Sequence, residues 1–102
     1  MSKANYTNAG QQRILNVVRI LAGNEFDGLS LTSIAKAMNE ATPVIKRDLE
    51  NLKTAGFGEQ DERTGHWRLG PKLIQIGLAH LDHVNRTESR MQELKNRYST
   101  KG

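Results

Sequence analysis

The chain contains no cysteine. That excludes disulfides, thiolate-bound zinc, iron–sulfur clusters and thiol nucleophiles, and it suits a reducing compartment. Long apolar runs are missing too. A membrane span needs roughly 18–20 such residues, and the best stretch here, Ile14 to Ala22, is broken by Asn16 and Arg19. The opening residues, Met1 to Asn8, lack the apolar centre of a secretory signal. Together these absences predict a soluble, cytoplasmic protein with no membrane association. There is no internal repeat and no low-complexity tract.

What is present is a chain of 102 residues, enough for one domain, or one domain with a helical extension. Such a chain buries only roughly 60–65% of its unfolded surface, so contacts with a partner would add usefully to its stability. Lys and Arg number 15 against 11 Asp and Glu, a formal charge of +4. This mild basic excess is compatible with a polyanionic partner without requiring one.

Residues 1–10 are small and polar and are expected to form a flexible arm. Ile14, Val17, Val18 and Leu21 then recur at helical spacing, predicting a helix from about Gln11 to Ala22 that stops at Gly23-Asn24. Leu31, Ile34, Ala35 and Met38 predict a second helix, with Ser30 as its cap. After the turn Asn39-Glu40-Ala41, Thr42 and Pro43 read as cap and first residue of a third helix. That helix runs to about Ala55, turns Ile45, Leu49 and Leu52 inward, and ends at Gly56. Residues 57–60 and 66–69 flank the turn-rich Asp61-Glu62-Arg63-Thr64-Gly65 and read as a β-hairpin. From Lys72 the pattern is helical to about Tyr98, with an interruption expected near Asn85-Arg86-Thr87.

Three helices, a hairpin and a further helix is the order of a winged helix-turn-helix: mainly α with a small β-hairpin wing, followed by a C-terminal linker or dimerisation helix. The expected division is an arm at 1–10, the winged domain at 11–70 and the C-terminal helix at 71–102. In this motif the second helix of the central pair enters the DNA major groove. Stepping about 100° per residue from the inward face of the third helix leaves Pro43, Arg47, Glu50 and Thr54 opposite, with Val44, Lys46 and Asn51 on the flanks. Arg47 suits a guanine edge and Val44 a thymine methyl. Lys46 and Lys53 suit phosphates. Glu50 either accepts from a cytosine amine or excludes wrong sites. The start of the second helix, at Ser30 and Thr32, offers backbone N–H groups to another phosphate. Asp48 is expected at the core edge, paired with a base or bonded to backbone. Such a face is also what an ordinary solvated helix presents.

The hairpin is weaker evidence. Residues 57–69 carry two arginines, Arg63 and Arg68, against three acids. Either arginine is a candidate phosphate contact, but a purely structural hairpin with Trp67 packed on the core explains the segment equally well. On the last helix Ile74, Leu78, Leu81 and Val84 form an apolar stripe wider than a small core needs, the mark of a homodimer contact. Glu88 and Lys95 then fall where that stripe should continue. A dimer would set two recognition helices about one DNA turn apart, roughly 34 Å. His80 and His83 share a helix face, but no further ligand accompanies them, so no metal and no cofactor is expected. No nucleophile–base set or phosphate-binding loop is present, and no enzymatic activity is expected.

Several segments taken together carry a family likeness: Gln12-Arg13-Ile14-Leu15, Gly28-Leu29-Ser30-Leu31-Thr32-Ser33-Ile34-Ala35, Gly56-Phe57, and Trp67-Arg68-Leu69-Gly70-Pro71-Lys72-Leu73. Over about residues 11–84 the chain resembles the N-terminal domain of the IclR-type bacterial transcription regulators. The resemblance implies a winged helix that binds palindromic operators as a dimer. It puts Thr42, Pro43, Val44, Lys46 and Arg47 at the groove and starts the linker helix near Pro71. The family usually continues into an effector-binding domain, so a chain of this length is expected to be a stand-alone module, controlled by its abundance or by a protein partner. The turn Asn39-Glu40-Ala41 and the residue Asp48 depart from the family pattern, and Arg47-Asp48-Leu49 looks more like the DeoR-type regulators. Two other readings stand beside sequence-specific binding: a protein-interaction or assembly module, and a replication or packaging DNA-binding protein without an operator.

Overall fold

The structure, a computed structural model, describes residues 6–99. In chain order it contains α1 (Ala9–Leu21), α2 (Leu31–Met38), α3 (Thr42–Ala55), β1 (Gly58–Gln60), β2 (Trp67–Leu69) and α4 (Pro71–Ser99).

The first helix begins earlier than the apolar spacing predicts. Asn8 has extended backbone and its side chain accepts the Gln11 N–H at 2.9 Å, satisfying one of the donors a helix start leaves free. The expected arm therefore gives way to α1 at Ala9; residues 1–5 lie outside the described residues. Ser30 caps α2 as expected, accepting the Ser33 N–H at 3.1 Å, and Asn39 ends it in the left-handed region. The start of α3 shifts by one residue. Ala41, not Thr42, is the cap, because its carbonyl already accepts from Val44 and Ile45. Thr42 and Pro43 are the first two helical residues. Gly56, at φ +82°, closes α3, while Phe57 N–H reaches back to the Leu52 carbonyl at 2.8 Å.

The strands pair antiparallel, with Gly58 opposite Leu69, Glu59 opposite Arg68 and Gln60 opposite Trp67. A third short segment joins them. Leu29 and Trp67 exchange two backbone hydrogen bonds of 2.8 Å, tying the approach to α2 onto the wing. Val17, Leu21, Ile34, Ala35, Ile45, Leu49, Leu52 and Trp67 form one buried core drawn from α1, α2, α3 and the hairpin. Trp67, at 1% exposure, is the largest member. It makes the hairpin part of the core rather than an appendage.

The break expected near residues 85–87 does not occur. Thr87 donates its hydroxyl to the His83 carbonyl at 3.0 Å instead of capping a new helix, and α4 runs on for 29 residues. None of them is buried.

Candidate nucleic-acid interface

The orientation of α3 is fixed from its inner face. Ile45, Leu49 and Leu52 are buried, as their spacing predicts, and so is Asp48. A carboxylate at that depth needs a partner. Arg13 of α1 supplies it with two parallel bonds, Nε at 2.6 Å and Nη2 at 3.0 Å. The hydrogen bond to Asp48 raises the Arg13 guanidinium further above its ordinary value. The expected pairing of Asp48 with a base is thus met, although its partner lies 35 residues away. This two-pronged contact resists rotation of α3 about its own axis, because turning the helix would pull one oxygen from its donor.

With that face anchored, Thr42, Pro43, Lys46, Arg47 and Lys53 are all exposed, and Val44 and Glu50 are half-buried. The Arg47 carbonyl accepts from the Asn51 side chain at 2.8 Å. Its guanidinium has no hydrogen-bond or ion-pair partner among the described residues. Lys46 and Glu50 approach to 3.7 Å, both about half exposed, a contact that contributes little in water. The outer face of α3 therefore offers a guanidinium with no partner among the described residues, and the same helix exposes Lys46 and Lys53.

The wing behaves differently from the expectation. Arg68 does not reach outward. It donates to Glu59 at 3.1 Å and to Asp61 at 3.2 Å, and so holds the hairpin together. Glu59 is its cross-strand neighbour, and opposite charges so placed pair. Asp61 also accepts the backbone N–H groups of Arg63 and Thr64. These bonds, Thr64 foremost, then Arg63 and the Arg68 side chain, hold its carboxyl below the usual value. Two of the three acids are thus occupied inside the hairpin, and Glu62 and Arg63 are left exposed at the tip. His66 Nδ1 lies 2.9 Å from the Asp27 carbonyl, a second tie between the wing and the α1–α2 loop. At the start of α2 the Ser30 hydroxyl is committed to Ser33, and Thr32 is exposed.

The Arg13–Asp48 pair and the Leu29–Trp67 bridge were not assigned from sequence. A burial signal existed for Asp48, but nothing in the spacing names Arg13. Among the described residues no group of three or more His, Asp or Glu side chains is placed to hold a metal ion. No helix among them is long and apolar enough to cross a membrane.

Known proteins share this fold. The chain is 35% identical over 71 residues to the glycerol operon regulatory protein of Streptomyces coelicolor, a match covering 70% of this chain and 28% of that protein. Its fold superimposes on the IclR transcriptional regulator of Alicyclobacillus acidocaldarius with a TM-score of 0.66 at 25% identity, over 72% of this chain and 29% of the other. HmgR of Pseudomonas aeruginosa gives a TM-score of 0.64 at 28% identity, over 74% and 30% of the two chains. This is an IclR-type winged helix-turn-helix domain. Its helix-turn-helix pair is α2 and α3, and its wing is β1–β2. No family model matches the sequence, so the assignment of this IclR-type domain rests on the individual relatives and on the shared fold. The chain spans less than a third of the length of each of those relatives.

Proposed function

We propose that this domain binds a specific duplex DNA site as a homodimer and regulates transcription by occupying it. The observation that carries the reading is the outer face of α3. Arg47 stands there exposed with an unengaged guanidinium, while Asp48, its neighbour in sequence, is locked inward by Arg13. In the major groove Arg47 reads a guanine edge and Val44 meets a thymine methyl. Lys46 and Lys53 hold phosphates, and Thr42 and Pro43 bring the helix start against the backbone. Glu50 selects against mismatched sites. The first turn of α2, at Ser30 and Thr32, and the wing-tip Arg63 supply further phosphate contacts. The homodimer forms through α4, where Ile74, Leu78 and Leu81 are 45%, 60% and 53% exposed and Val84 is 37% exposed. An apolar stripe left open in this way marks a protein–protein contact. Related proteins carry the names of an operon regulator and of transcriptional regulators, which supports the regulatory role.

Selection of bound sites from a random duplex pool, repeated over a salt series, tests the proposal. An enriched sequence is expected, with affinity falling steeply as salt rises. Arg47→Ala should cost about 1–3 kcal/mol and relax the preference at one base pair, whereas Lys53→Ala should weaken all sequences alike and reduce the salt slope by about 1. No enrichment together with no salt dependence would instead favour a protein-interaction or assembly module.

A further inference from the structure

The uninterrupted course of α4 brings a second apolar series into line. Val84, Met91 and Tyr98 recur every seventh residue, and His80, Thr87 and Leu94 fall between them at alternating steps of three and four. This is the spacing by which one helix meets another along its length in a left-handed supercoil. The stripe Ile74, Leu78, Leu81 cannot play that part beyond its first turns, because Asn85, Glu88, Gln92 and Lys95 take its later positions. The distal series is open to solvent: Met91 is 55%, Leu94 43% and Tyr98 74% exposed. Thr87 fits an apolar seam because its hydroxyl already donates to the His83 carbonyl of its own helix and needs no partner across the contact.

We infer that this seam, running to the end of α4, pairs in parallel with the same seam of a second copy of the chain. The inference rests on the homodimer part of the proposed function, moves its contact from the stripe that includes Leu78 to this seam, and does not depend on DNA binding. Two features point to an identical partner. In parallel register each layer meets itself, so His80 faces His80 and Thr87 faces Thr87 between apolar layers, and neither polar residue is pressed against an apolar one. The flanking positions also match across the seam. Ile76 meets Leu81 of the second copy, and His83 meets Glu88 of the second copy. The one like-charged contact sets Arg90 against Lys95 of the second copy, near the distal end. Ile74 and Leu81 widen the seam beside the winged domain, whereas Leu78 falls outside it. Parallel pairing also leaves both winged domains at the same end of the rod.

Sedimentation equilibrium of the full chain tests this, with Trp67 emission confirming in each variant that the winged domain is folded. The unaltered chain is expected to form a reversible dimer. Leu94→Glu removes two buried leucines per dimer and should weaken it on the order of 100-fold. Lys95→Glu turns the like-charged contact into an attractive one and should tighten it about two- to fivefold. Leu78→Glu should change it by less than about twofold, as expected of a solvent-facing position. A chain that stays monomeric at all concentrations would overturn both this seam and the homodimer. Disruption by Leu78→Glu with Leu94→Glu silent would overturn the seam alone and leave a dimer built on the proximal stripe. A Lys95→Glu variant no tighter than the parent would overturn the parallel register.

Discussion

Replacing Gly28 by alanine isolates the junction that joins the wing to the rest of the domain. Gly28 has φ +68°, a conformation that costs an L-residue about 1–2 kcal/mol. A Cβ there would stand 2.7 Å from the Trp67 carbonyl oxygen and 3.1 Å from the His66 Cβ. The nearer contact is with backbone, so the strand itself has to move. That movement would strain the two Leu29–Trp67 hydrogen bonds, both 2.8 Å in the folded domain, each worth about 0.5–1.5 kcal/mol. The combined loss should be about 2–4 kcal/mol, or roughly 10–25 °C in Tm for a domain this size. Gly23→Ala is the internal control. Gly23 has φ +88° but nothing within 4 Å of the added Cβ, so only the backbone term applies, about 1 kcal/mol and roughly 4–8 °C. Urea and thermal unfolding followed by Trp67, the one tryptophan of the chain, reads both variants with the same probe. If Gly28→Ala loses no more stability than Gly23→Ala, the close approach of α2's lead-in to β2 is not what holds the wing, and the reasoning fails.

Two further outcomes follow from the ion pairs. Arg13→Met strands the Asp48 carboxylate, whose side chain is only 7% exposed, while Asp48→Leu strands a guanidinium that is 26% exposed and can reach water. Arg13→Met should therefore lower the urea midpoint more than Asp48→Leu does; the opposite order would show that the pair does not anchor α3. In the hairpin, Asp61 has its carboxyl held below the ordinary 3.8, first by the Thr64 N–H, then by the Arg63 N–H and Arg68. Its ionised form is thus favoured by folding, so the contribution is complete above the ordinary value and disappears as pH falls through the lower folded one. The Arg63 and Thr64 amide resonances should move only in that acidic window, and Asp61→Asn should abolish the dependence. Movement near neutral pH instead would mean that another group controls the turn.

The elements visible in the sequence were those with a local cause. Helical spacing located α1, α2 and α3, Ser30 declared itself as a cap, and Gly56 marked the end of α3, because each signal lies within a few residues of its effect. The inward set Ile45, Leu49 and Leu52 was readable for the same reason, whereas the packing of Trp67 on the core was one of two readings that the hairpin left open. What escaped was set by tertiary partners. Arg68 looked like a free cation until its neighbours across and along the hairpin were known. Asp48 announced its burial but not Arg13. Thr87 has two local uses, as a cap for a new helix or as a donor to its own, and only the continuous backbone of α4 decides between them. Leu29 pairs with a strand 38 residues further on, a distance at which periodicity carries no information.

The charge arrangement also decides where any grip on a polyanion must lie. Taken as a sum, residues 57–69 are acidic, which argues against a wing that approaches phosphates. Taken pair by pair, Arg68 bonds both Glu59 and Asp61 inside the hairpin and leaves one net negative charge there, and the exposed tip retains one charge of each sign, Glu62 and Arg63. The wing then neither repels a phosphate backbone strongly nor holds it strongly. On the DNA-binding reading, affinity must come mainly from α3 and the start of α2, with Arg63 adding at most one phosphate contact. Asp48 contributes to the same result from inside. Its charge is spent on Arg13, so the acidic residue next in sequence to Arg47 does not compete with DNA for that guanidinium. Replacement of Arg63 by uncharged glutamine should accordingly lower the salt slope of binding by no more than about 1, and a larger drop would mean that the wing, not α3, makes the principal electrostatic contact.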